Sequence, residues 1–130
     1  MHGRSLVAIV DDDESIRETT QDLLESAGFS AVAFASAESF LSSGRPKQFS
    51  CLIADVRMPG MSGLELHQKL VASSYMIPTI IVSAHADERA RAQAAQSNVV
   101  CCLAKPFMAE ELLACVRHAI ERRQCDRDCV

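Results

Sequence analysis

Four carboxylates, a hydroxyl and an amine stand where the apolar runs of this chain stop. LVAIV is followed by Asp11, Asp12 and Asp13, CLIA by Asp55, PTIIV by Ser83, and VVCCLA by Lys105. Carboxylates brought together repel by about 4 kcal/mol per pair at roughly 4 Å and an effective dielectric of about 20. Such a cluster either takes up protons or binds a cation. Hard oxygen ligands without His or Cys favour Mg2+, with Mn2+ as the alternative, over zinc. Mg2+ keeps some waters and takes phosphate oxygens as further ligands. Lys105 and Ser83 bring a mobile positive charge and a hydroxyl, both suited to holding a phosphoryl oxygen. Singly, these residues have ordinary explanations. Asp13 is expected to cap the first helix, and a lysine before proline is a common turn residue. Four strand ends matching one chemistry is harder to assign to chance.

The elements that must position these groups follow from the hydrophobic period. Leu6–Val10, Ser30–Phe34, Cys51–Val56, PTIIV from Pro78 and VVCCL before Lys105 are short apolar runs suited to strands. Between them lie segments of helical period. Ile16, Leu23, Leu24 and Ala27 stop at Gly28; Ala37–Leu41 forms a short stretch; Leu64, Leu66, Leu70 and Val71 follow Ser62 as cap. Leu112, Leu113, Val116, Ala119 and Ile120 form the stripe of the last helix, with Glu110 and Glu111 in its first turn. Single helices between strands imply right-handed crossovers, hence a parallel sheet covered on both faces. The pattern predicts an α/β, doubly wound, flavodoxin-like fold with five helices and strand order 2-1-3-4-5. In that order strands 1, 3, 4 and 5 are neighbours, so Asp11, Asp12, Asp55, Ser83 and Lys105 share the carboxyl edge where ligands bind. The helix expected over residues 84–98 carries alanines but no large aliphatic residue, so it is weakly anchored.

The chain has 130 residues, 48% of them hydrophobic, enough for one domain with its own core. A net charge of −4 argues against direct nucleic-acid binding by this segment. No apolar run has the length of a membrane span and the start lacks signal-peptide architecture, so a cytoplasmic location is expected. Of six cysteines, Cys51, Cys101, Cys102 and Cys115 sit in apolar or helical patterns, as reduced thiols do. Cys125 and Cys129 lie in a polar tail, where two thiols without a nearby His make a weak metal site. The expected division is a domain over 1–122, followed by 123–130 as a tail or linker.

The acidic cluster after the first strand, D-V-R-M-P-G-M-S-G at Asp55–Gly63, Ser83-Ala84 and Lys105-Pro106-Phe107 together resemble the CheY-like receiver domain of bacterial two-component response regulators. The likeness covers essentially the whole chain, and VRMPGMSG and SAHAD look most like the FixJ-like branch. That resemblance implies that Asp55 is the nucleophile, taking a phosphoryl group from the phosphohistidine of a sensor kinase. It implies Asp12 as the main Mg2+ carboxylate, Asp11 acting through water, and the backbone carbonyl of Arg57 as a further ligand beside Asp55. Ser83 and Lys105 would each hold a phosphoryl oxygen, with a cis Lys105-Pro106 bond aiming the lysine inward. It also implies an output domain beyond this segment, and a switch surface on the fourth strand, fifth strand and last helix that favours dimers once phosphorylated. The chain departs from the family at Cys102, three residues before Lys105, where a Phe or Tyr usually turns inward as part of the switch.

Two other readings compete. A phosphatase of the haloacid-dehalogenase type is suggested by Asp11-x-Asp13, but would place its nucleophile on the first strand rather than at the motif around Asp55. A receiver kept only as a protein-binding module would lack some acceptor-site residues, and all are present here. A calcium loop starting at Asp11 fails because Ile16 occupies the turn position that demands glycine.

Overall fold

Alternate residues of the first strand feed two different cores. In β1 (Leu6–Val10), Val7 and Ile9 join one buried cluster and Ala8 and Val10 the other, as the two-residue period of a strand requires. This computed structural model describes residues 6–43, 48–58, 60–73, 77–84, 92, 101–105 and 107–128, with backbone alone at 84, 105 and 122–128. The remaining strands are β2 (Ser30–Phe34), β3 (Cys51–Asp55), β4 (Thr79–Ala84) and β5 (Cys101–Lys105). All pairings are parallel and the order is β2-β1-β3-β4-β5, as the alternating pattern predicts.

Four helices stand among the described residues: α1 (Glu14–Ser26), α2 (Ala37–Ser42), α3 (Gly63–Ala72) and α4 (Ala109–Asp128). The fifth expected helix, over 84–98, falls almost wholly outside them. Helices α2 and α3 cover one face of the sheet through Phe40, Leu64, Leu66 and Leu70. Helices α1 and α4 cover the other through Leu24, Leu112, Val116, Ala119 and Ile120. Phe34, Phe40 and Phe49 pack edge-on or tilted, with ring centres 5.3–6.0 Å apart, and close the core beneath α2.

The caps follow the sequence closely. Asp13 accepts from the Ser15 and Ile16 amides at 2.9 and 3.3 Å, so it holds the start of α1. Ser62 and Glu65 form a reciprocal capping box at α3. Gly28, with φ of 97°, ends α1 in the left-handed region that favours glycine.

One detail differs from the apolar pattern. Val71 is 51% exposed, because the buried face of α3 centres on Gly63, Leu66, His67 and Leu70, and Val71 lies about 100° round the helix from Leu70. Strand β5 ends at Lys105, as the sequence leads one to expect. Its ladder continues through Ser83 opposite Ala104 and Ala84 opposite Lys105, since backbone pairing does not require apolar side chains. The backbone of α4 is helical to Asp128.

Candidate functional site

Parallel pairing brings the carboxyl ends of β1, β3 and β4 level. Asp11 follows β1 directly, and its amide donates to the Phe34 carbonyl at 3.2 Å, extending the ladder to β2 by one bond. Asp55 is the last residue of β3, and the Val56 amide donates to the Val82 carbonyl at 2.9 Å, which fixes the strand end against β4. Asp11 and Asp55 are buried and Asp12 is exposed. One oxygen from each of the three carboxylates lies within 4.8 Å of the others, so Asp11, Asp12 and Asp55 form a pocket with an all-oxygen donor set. That set suits a hard divalent cation and offers zinc no nitrogen or sulfur.

Hydrogen bonds hold the pocket's walls. Asp11 Oδ1 accepts from the Asp13 amide at 2.9 Å, and its carbonyl accepts from Arg17 Nη1 at 2.8 Å. Asp55 Oδ1 accepts from the Arg57 amide at 3.0 Å, so the chain turns back toward the pocket directly after the strand. Glu38 Oε2, on α2, accepts from the Met61 amide at 3.1 Å. Gly63 stands so close to the end of β3 that a Cβ there would meet the Asp55 carbonyl oxygen at 2.5 Å.

Ser83 sits one strand away from Asp55, fully buried, with its Oγ 3.9 Å from Cys102 Sγ. Cys102 is therefore the neighbour of the hydroxyl, as its position three before Lys105 leads one to expect. The Lys105 backbone pairs with Ala84 on the same rim. The Lys105 side chain and Pro106, and with them the expected cis bond, lie outside the described residues, as do the side chains of Cys125 and Cys129.

Asp13 is expected as a cap and is one, its Oδ1 occupied by two helix amides. This takes the second carboxylate away from the haloacid-dehalogenase reading, which needs it in the site. The other three cysteines gather on the opposite sheet face, against the core beneath α1 and α4. Burial pushes the Cys51 thiol far up, and burial with a Cys101 hydrogen bond pushes Cys115 up to about 12. Thiols held protonated in this way are inert packing groups rather than nucleophiles.

Glu38, Arg17 and Gly63 are the site residues that sequence reasoning passes over. The glycine alone leaves a signal. It occupies the first position of a helix, a poor place for glycine on propensity grounds, directly after a serine cap.

A model of the response regulator receiver domain matches residues 7–117. Nodulation protein W of Bradyrhizobium diazoefficiens is 38% identical over 125 residues, 96% of this chain and 55% of that protein. The transcriptional regulatory protein FixJ of Azorhizobium caulinodans is 37% identical over 116 residues, 89% of this chain and 55% of its own length. The chain thus spans about half the length of these relatives. Among solved structures, the response regulator StyR shares 40% identity at a TM-score of 0.85, covering 97% of this chain and 66% of that one. FixJ-N shares 32% at 0.85, covering 92% and 96%. No helix among the described residues is long and apolar enough to cross a membrane. The chain belongs to the family of response regulator receiver domains.

Proposed function

We propose that Asp55 accepts a phosphoryl group from a sensor histidine kinase in the cytoplasm, and that this receiver domain passes the signal to an output domain outside the segment that controls transcription, in keeping with its similarity to the transcriptional regulatory protein FixJ. The observation that carries this reading is the convergence of Asp11, Asp12 and Asp55 within 4.8 Å at the carboxyl edge of the sheet. A carboxylate oxygen of Asp55 attacks phosphorus in line with the donor's P–N bond. That bond breaks with its electron pair going to the imidazole of the donor, and an acyl phosphate remains on Asp55. Asp12, Asp11 and Asp55, with the Arg57 carbonyl, would hold Mg2+, and the bound ion would supply positive charge to neutralise the phosphoryl oxygens. Mn2+ fits the same donors. Ser83 hydrogen-bonds one phosphoryl oxygen after transfer, and Lys105 pairs with another. The domain catalyses its own phosphorylation and slow dephosphorylation, and turns over no separate substrate.

The test uses acetyl phosphate as a kinase-free donor. With Mg2+, intact-mass spectrometry shows one added phosphoryl group, and chelation of the metal removes it. Incorporation that is indifferent to chelator would sink the metal role.

The switch in this chain runs through Ser83 and Cys102. When Ser83 turns toward the phosphoryl group it leaves the thiol it touches at 3.9 Å. The change reaches β4, β5 and α4, the face on which a phosphorylated homodimer forms. With beryllofluoride and Mg2+, faster maleimide labelling of Cys102 and a dimer in sedimentation are expected. An unchanged labelling rate in a protein that stays monomeric would count against this route.

A further inference from the structure

The loop from Arg57 to Ser62 carries one proposed metal ligand, and two of its backbone amides bond locally. The Arg57 amide bonds Asp55, two residues away, and the Ser62 amide bonds Glu65, three away. The Met61 amide instead reaches Glu38 Oε2 at 3.1 Å, across 23 residues of sequence and from a different helix. The same carboxylate oxygen lies 2.9 Å from where a Cβ on Gly60 would stand, and Gly60 has φ of 80°. Glu38 therefore bears directly on the turn, at two adjacent residues, just past Arg57. Ala37 and Phe40, its neighbours on α2, are fully buried beside Val56 and Leu64, so the helix offering this carboxylate is fixed to the core.

We infer that Glu38 is a positioning residue for the metal pocket, tethering the β3–α3 loop to α2 so that the Arg57 carbonyl stays beside Asp55. The inference rests on the reading of Asp55 as a Mg2+-dependent phosphoacceptor. Glu38 acts as a hydrogen-bond acceptor, and its charge is secondary. Outer-shell partners of metal ligands commonly change affinity by tenfold or more when removed. Glu38 is exposed and one bond further from the metal, so the effect falls at or below the lower limit of that range.

Amide-resolved NMR of the whole chain tests this in Glu38→Ala and Glu38→Gln. The Ala variant is expected to lose exchange protection at the Met61 amide in metal-free protein and to raise the Mg2+ dissociation constant about threefold to tenfold. The Gln variant keeps an acceptor oxygen and is expected to stay within about twofold of wild type in Mg2+ affinity. An Ala variant that matches wild type in Mg2+ affinity overturns the inference. So does a Gln variant as weak as Ala, because the effect would then be charge acting through space. A wild-type chain that binds no Mg2+ overturns the phosphoacceptor reading as well, whereas wild-type binding with an unaffected Ala variant overturns only this one.

Discussion

Asp55→Asn is expected to abolish phosphoryl incorporation from acetyl phosphate while making the metal-free protein more stable. The two effects have one cause. An amide oxygen is a poor nucleophile toward phosphorus and contributes no charge to a metal site. The carboxylate it replaces is buried and shares a pocket with Asp11 and Asp12, all three within 4.8 Å. Each carboxylate pair at that spacing repels by a few kcal/mol at an effective dielectric of about 20, and exposure of Asp12 screens part of it. Removing Asp55 relieves two of the three pairs, and the Arg57 amide exchanges a charged acceptor for a neutral one. Mg2+ is expected to reverse the order, stabilising wild type by mass action and the variant far less. Asp11→Asn is the comparison: it weakens Mg2+ binding and slows labelling, yet leaves the acceptor in place. Intact mass and thermal melts with and without Mg2+ read all of this. Labelling of Asp55→Asn at the wild-type rate would refute the assignment, and labelling lost only in Asp11→Asn would move the nucleophile to the first strand.

Most of this site is legible from strand ends alone, since each group lies where an apolar run meets the carboxyl edge. Asp13 and Ser62 announce themselves as caps because capping is a local contract between a side chain and amides two or three residues on. What the sequence does not reveal depends on how elements sit against one another. Glu38 and Met61 meet only because α2 packs beside the loop after β3. The buried His67 meets Thr79 at 3.1 Å only because α3 turns that side toward β4, where the same Thr79 hydroxyl donates to the Ile77 carbonyl. Val71 is misread for the same reason: a ten-residue helix with apolar positions spread round it does not say which residues mark the middle of its buried face.

Gly63→Ala is expected to damage both the fold and the site, and the asymmetry with another glycine shows why. Alanine is the better helix former, by about 1 kcal/mol, and Gly63 stands at the start of α3, so propensity alone favours the change. Space does not. The new methyl would lie 2.5 Å from the Asp55 carbonyl oxygen, 3.0 Å from its carbonyl carbon and 3.1 Å from Ala54 Cβ. Those atoms belong to a strand whose five residues are all buried, so they cannot swing aside as a flexible side chain would. Either α3 lifts from β3 or the end of β3 shifts, and the second moves Asp55. Overpacking of this kind costs about 1–3 kcal/mol, a fall in Tm on the order of 5–10 °C for a domain this size. Gly28→Ala is the control. Its Cβ meets nothing within 4 Å, so its cost comes from φ of 97° alone, about 1 kcal/mol, at the far end of α1 from the pocket. Gly28→Ala should therefore lower Tm without slowing acetyl-phosphate labelling, whereas Gly63→Ala lowers Tm and slows labelling at least tenfold (on the order of 1.4 kcal/mol in the barrier). Equal labelling rates in the two variants would mean that the contact between Gly63 and Asp55 is packing alone, with no bearing on the acceptor's aim.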